Sequence, residues 1–227
     1  LCEDCRRRYE TNPLRILDCK QPGCRALVSA LPPVSEAMGA ESRAYLADVR
    51  RLLDRLEIPA GINPLLVRGL DYYIHTVWEI THPALGAQDA LAGGGRYRMD
   101  VGGRTLDGVG FAIGMERLLL AMQACGAKPD ASPARPRVWL VAAGADQAEE
   151  LLALLQTLRK QGVAAGMDLS GRSMKAQLRA AHRAGAPFAV IRGGAEAARG
   201  VYVLKDMAGG AQTEVDLPEL LQRLSAP

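Results

Sequence analysis

Aromatic side chains are scarce in this chain, at 4% of 227 residues. No apolar run approaches the length that spans a bilayer, so no membrane partner is expected. There is no polycationic tail, no internal repeat and no low-complexity tract. The formal net charge of +3 permits a nucleic-acid partner without demanding one. No charged-then-apolar leader opens the chain, which begins Leu1-Cys2 rather than with Met. It is therefore expected to start inside a longer protein or after processing. Five cysteines, an odd count without secretory context, argue against a disulfide framework and for a reducing, cytoplasmic setting.

What is present is an ordinary globular composition, 48% hydrophobic and 23% charged, enough for one large domain or two modest ones. Residues 1–30 read as irregular, with turn signals in "NPL" and "QPG". A helix is expected over Glu41–Leu56, because Tyr45, Leu46, Val49, Leu52, Leu53 and Leu56 share one face. "LLVRGLDYY", "HTVWEIT", "LAGGGRY" and "GVGFAIG" read as strands, followed by a helix at 115–125 that Gly126 ends. Strands close in sequence without intervening helices imply an antiparallel sheet. Residues 126–137, with three prolines, are the expected linker. Beyond it strands and helices alternate: "VWLVAA", a helix at 146–160, "VAAGMDL", a helix at 173–184, "PFAVIRG", "VYVLKDM", "QTEVDL" and a helix at 218–224. This is an α/β pattern with some parallel pairing. The expected division is 1–60, 61–125, the linker, and 138–227.

Three strings carry the chemistry. Arg68 lies in an apolar run, and a buried guanidinium needs an anion; Asp71 is the nearest in sequence. A structural Arg68–Asp71 pair is as good a reading as a ligand clamp. Tyr72 and Tyr73, on a strand, would face opposite sides, one offering its hydroxyl to a ligand. The glycines before Arg96 and Tyr97 allow close approach of a ligand, although a tight bulge explains them equally well. Arg117 sits one turn into a helix after Gly114, where it either snorkels to solvent or clamps a phosphate or base.

Taken in order, "LVRGLDYY", "AGGGRY" and "GFAIGMERL" resemble the histidine-binding signature, the second histidine-pocket motif and motif 3 of the histidyl-tRNA synthetase family, which are class II ligases. "CEDCRRRYETNPLRILDCK" resembles that family's insertion region, and 138–227 its anticodon-binding domain. The resemblance implies an α+β catalytic portion with an antiparallel sheet, followed by an α/β domain with a mixed sheet. It implies adenylation of histidine by ATP with Mg2+, transfer to the end of histidine tRNA, and a homodimer. Arg68 would stabilise charge at the α-phosphate as the catalytic residue. Tyr72, Tyr73, Gly94 and Tyr97 would bind histidine, and Arg68, Gly114 and Arg117 would bind ATP. A site built to hydrogen-bond an imidazole rejects analogues that lack its partners.

The sequence departs from the family pattern. His75 stands where arginine is common and Arg98 where aspartate is usual, and the stretch to Gly102–Gly103 is about three residues short by that comparison. Motifs 1 and 2 are not among these residues, so the chain is expected to be a C-terminal portion, inactive alone. Cys2-x2-Cys5 and Cys19-x4-Cys24 offer four thiolates to one structural Zn2+, or are reduced thiols packed in a loop-rich region. Arg6 and Arg7 are candidates for contact with the tRNA acceptor arm, against the alternative of a solvated charged face. Arg172, Lys175, Arg179 and His182 are spaced to share a helix face that suits an RNA backbone or solvent. Two alternatives to the ligase stand: a synthetase-like regulatory subunit of histidine biosynthesis, and a tRNA-binding module without chemistry. Relatives of the first kind tend to lose the pocket string and the anticodon domain, both of which are present here.

Overall fold

The computed structural model describes all of the chain except residues 71, 87–88, 129–134 and 226–227. Its contacts divide it into two units, Leu1–Leu53 with Pro59–Asp130, and Asp54–Ile58 with Ala131–Pro227. Part of the expected linker, 129–134, lies outside the described residues. No described helix is long and apolar enough to cross a membrane.

The first residues are not irregular. They form α1 (Glu3–Thr11), a 3-10 turn at Pro13–Ile16, and α2 (Pro22–Val28). The prolines that read as turn signals stand at the first helical positions, where a missing N–H costs nothing. Glu3 and Asp4 in the first turn of α1 and Arg8 in its last complement the helix dipole. Helix α3 (Ala40–Arg55) follows, and its expected apolar face, Tyr45, Leu46, Val49, Leu52 and Leu53, is the half-buried one.

Strands β1 (Tyr73–Thr81), β2 (Ala90–Val101) and β3 (Arg104–Ile113) form an antiparallel sheet in sequence order. Residues 65–70 are not strand, contrary to expectation: the segment bends at Gly69, against which the Arg15 guanidinium packs, and only Tyr73 enters the ladder. Strand β3 is longer than its apolar string because Val101 pairs with Arg104 across a two-residue turn. Gly102 and Gly103, at φ 58° and 76°, supply the left-handed backbone that such a turn requires. Helix α4 (Met115–Ala124) ends as expected at Gly126: the Gly126 N–H donates to Gln123 and the Ala127 N–H to Met122, with Gly126 at φ 66°.

The second unit is a mixed sheet of order β5-β4-β6-β7-β8. Its strands are β4 (Val138–Ala142), β5 (Ala165–Met167), β6 (Phe188–Arg192), β7 (Tyr202–Asp206) and β8 (Gln212–Val215). β4 runs parallel to β5 and β6, and the remaining pairs are antiparallel. Helices α5 (Ala148–Lys160), α6 (Met174–Arg183) and α8 (Leu217–Ser225) accompany it. A short helix, α7 (Gly194–Ala198), was not expected, because "GAEAA" carries no apolar period. Leu151, Leu154, Leu155 and Leu158, on one face of α5, are buried with Val138, Leu140, Val190, Leu220 and Leu224. Each such side chain contributes about 1.5–3 kcal/mol by leaving water.

Strand β5 is too short to cover all of β4, and Gln177 of α6 completes the edge. Its side-chain amide accepts from the Ala142 N–H at 3.0 Å and donates to the Ala142 carbonyl at 2.9 Å. It also donates to the Arg172 carbonyl at 2.7 Å.

Candidate functional site

The glycine-rich start of β2 organises the first unit's site. The Arg68 guanidinium lies against Gly93, where a β-carbon would stand 2.8 Å from both terminal nitrogens. Gly94 packs on the Gly110 carbonyl and Phe111 of β3, and Gly95 on the Thr76 carbonyl and the Tyr73 ring. Each glycine is therefore required by a neighbour, whichever ligand β2 faces.

Arg68 Nη1 meets Glu79 Oε1 at 3.3 Å, with both side chains about three-quarters buried. The candidate partner from sequence, Asp71, lies outside the described residues. The spacing gave no signal for Glu79 beyond its being an acid within an apolar strand. Glu79 pairs with Gly93 in the β1–β2 ladder, and that cross-strand position delivers its carboxylate to Arg68. Arg68 and Glu79 line a cavity of about 450 Å³ whose other wall includes Asp18, Cys19, Lys20 and Arg25.

Arg117 approaches the same strand from its beginning. Its Nε donates to the Ala90 carbonyl, and its stem passes over Gly114, where a β-carbon would come within 2.8 Å. Snorkelling to solvent is thus not its conformation. Arg68 and Arg117 flank Ala90–Gly93.

The tyrosines cluster. Tyr72 and Tyr73 do not face opposite sides; their ring centres are 4.9 Å apart, and Tyr97 meets Tyr72 edge-on at 6.0 Å. Alternation fails because Tyr72 stands outside the strand and β1 changes register between Tyr73 and Val77, with His75 at φ 55°. The Tyr97 ring fits only because β3 has glycine at 108, where a β-carbon would touch it at 2.5 Å. Burial, followed by Tyr73 beside it, raises the Tyr72 hydroxyl above the usual tyrosine range and keeps it a donor.

The departures from the family pattern have local partners. His75 stacks on Tyr45 at 4.5 Å, with its Nδ1 at 2.9 Å from the Ser42 hydroxyl. Arg96 lies over the other partner in that stack, 5.1 Å from the Tyr45 ring centre. Arg98 grips Asp107 with two hydrogen bonds of 2.6 and 3.0 Å, and Arg96 reaches it at 3.4 Å. The Arg98 hydrogen bonds hold the Asp107 carboxyl down at about 2.

Cys2, Cys5, Cys19 and Cys24 come together with all four sulfurs within 4.8 Å of one another. Burial pushes the Cys5 thiol up to about 12, while the Cys5 backbone beside it draws Cys2 down to about 7. Cys125 is apart, exposed, with its sulfur 3.3 Å from His82 Nε2.

Among the basic candidates, Arg6 and Arg7 are exposed on α1, Arg7 paired with Asp4 at 2.8 Å. Lys175, Arg179, His182 and Arg183 are exposed on α6, opposite its buried Gln177, Ala180 and Ala181. Arg172 is not on that helix, contrary to expectation. It precedes the Ser173 cap and is bound to Asp168, whose carboxylate is buried and accepts from Arg172 Nε at 2.7 Å. The Ser170 backbone N–H, then Arg172, hold Asp168 below the usual carboxylate range.

Residues 14–118 match the family model "Histidyl-tRNA synthetase" and residues 137–226 the model "Anticodon binding domain". The chain is 42% identical to the histidine–tRNA ligase of Desulfitobacterium hafniense over 222 residues, covering 96% of this chain and 52% of that protein. It is 44% identical to the same ligase of Anaeromyxobacter dehalogenans over 229 residues, 99% of this chain and 55% of that protein. The solved structure of the apo S. aureus histidyl-tRNA synthetase aligns over 100% of this chain and 56% of its own, at 32% identity and a TM-score of 0.42. The chain thus spans about half the length of the curated relatives it matches.

Proposed function

We propose that this chain, which belongs to the histidyl-tRNA synthetase family, serves as part of a histidine–tRNA ligase. The observation that carries the proposal is the pair of arginines, Arg68 and Arg117, flanking the glycine-lined start of β2 beside a tyrosine cluster. In this reading ATP binds with Mg2+ against Arg68, Gly114 and Arg117. The histidine carboxylate attacks the α-phosphorus and pyrophosphate leaves. Arg68 meets the charge that develops there; Glu79 engages one arm of its fork and leaves other donors for a phosphate oxygen. Tyr72, Tyr73 and Tyr97 provide hydroxyls and ring faces for the imidazole, with Gly94 beside them. The terminal tRNA hydroxyl then attacks the acyl carbon and AMP leaves.

Histidine tRNA is the proposed partner. Lys175 and Arg179 contact its backbone from α6, and Arg6 and Arg7 contact the acceptor arm from α1. Arg172 serves by holding the entry to α6 rather than as a free cation, given its buried partner Asp168. The active form is read as a cytoplasmic homodimer, the compartment resting on the odd cysteine count.

Binding of this chain to histidine tRNA and to an unrelated tRNA, at one fixed salt concentration, tests the reading. Preference for histidine tRNA supports it. Equal, weak binding to both removes recognition from these residues.

A further inference from the structure

The first 28 residues are short of everything that usually holds a fold together. Helices α1 and α2, of nine and seven residues, are too short to persist alone. Their core is Cys5, Ile16, Cys19, Cys24 and Val28, so three of its five buried residues are cysteines. Segments with so little apolar core need a staple.

The thiols are arranged for one. A metal held by four thiolates at about 2.3 Å has sulfur–sulfur edges of about 3.8 Å. Cys2 and Cys19 already stand 3.9 Å apart, and no two of the four sulfurs are more than 4.8 Å apart. The Cys2 backbone N–H donates to Cys24 Sγ at 3.1 Å, the outer hydrogen bond that orients a metal-bound thiolate. Cys2 and Cys5 sit at the cap and first turn of α1, so one helix end presents two of the four thiols side by side. Among the described residues no acid or histidine joins the group, so its donor set is soft.

We propose that Cys2, Cys5, Cys19 and Cys24 bind one structural Zn2+, and that the module so fixed forms a wall of the Arg68 cavity. Cys19 is both a ligand and a lining residue of that cavity, with Asp18 and Lys20 beside it. Arg15, between the two cysteine pairs, packs on Gly69, next to Arg68. The metal acts through position: it sets the loop from Leu17 to Lys20, and the loop bounds the space that Arg68 and Glu79 face. The site stands on its own geometry, whatever ligand that cavity takes.

The test is metal content and Co2+ substitution on the full chain. The expected result is about one zinc per chain and, after exchange, the charge-transfer and ligand-field bands of tetrahedral tetrathiolate Co2+. Cys24→Ser should alter those bands and Cys125→Ser should leave them unchanged. Should Cys24→Ser fail to fold, the Co2+ spectrum of the unaltered chain decides alone. Chelation should raise amide exchange across residues 3–28 by at least ~10-fold and leave the second unit unchanged. Absence of stoichiometric metal, a spectrum without sulfur ligands, or a disulfide between any two of the four cysteines in freshly purified protein overturns the proposal.

Discussion

Gly93 faces the guanidinium of Arg68 so closely that a β-carbon would lie 2.8 Å from both of its terminal nitrogens. The space for the proposed catalytic arginine is therefore written on β2. Placed in a full-length ligase of which this chain is proposed to form part, Gly93→Ala is expected to displace Arg68 from Glu79 and to lower histidine-dependent exchange of pyrophosphate into ATP on the order of 100-fold, as loss of one charge-stabilising donor does. The fall should appear mainly in kcat, with the secondary structure by circular dichroism unchanged. An unaltered rate would show that Arg68 does not serve the reaction from this position.

Asp107 gives a prediction in pH. Its carboxyl is held at about 2, below the usual carboxylate value, by Arg98 and Arg96. A depressed folded-state pKa means the pair stabilises fully above about pH 4, the unfolded value, and loses that contribution as pH falls towards 2. Asp107→Asn should therefore lower the melting temperature at neutral pH, with the difference from the parent shrinking between pH 4 and 2. A difference that stays constant over that range would assign the effect to something other than this charge.

The basic residues around α6 should separate into two kinds. Lys175→Ala and Arg179→Ala should each weaken tRNA binding and reduce the slope of log K against log salt by about one. Arg172→Ala should instead lower the stability of the second unit, because it strips the buried Asp168 carboxylate of its partner. Salt-titrated binding and urea melts distinguish the two.

In the second unit Leu151 is fully buried among α5, β4 and α8. Leu151→Ala should cost about 2–5 kcal/mol in urea denaturation. Among its described residues the first unit has no comparable apolar core, and Val109, Phe111 and Met115 are exposed there. Made separately, 138–227 should melt well above 61–124; equal melting would contradict this assignment of stability.

What could be read from sequence follows where the core is made of apolar side chains. Helix α5 was legible because its leucines repeat at helical spacing, and the inner strands β4 and β6 because their strings are short and apolar. Residues 1–28 were not, because thiols replace the apolar stripe that periodicity detects. Arg68 stood out as a charge in an apolar run, but its anion sits across a ladder at Glu79, and ladder registers are invisible in one sequence. Asp107 was missed for the same reason, and the contacts of Tyr45 with His75 and Arg96 because helix-to-sheet packing is equally invisible there. The misplacing of Arg172 had a signal: Ser173 is the residue type that opens a helix, and it stands after that arginine.

Gln177 carries a last consequence. By bonding both backbone groups of Ala142, its amide fastens α6 to the sheet much as a further strand would be fastened. The helix cannot roll about its axis without breaking those bonds. Lys175 and Arg179 therefore point in fixed directions before any partner arrives, and only their side chains remain to be ordered on contact. Such preorganisation lowers the entropic cost of meeting a polyanion. In the proposed RNA contact, an uncharged residue buried on the far side of the helix would thereby tune how tightly the charged face binds.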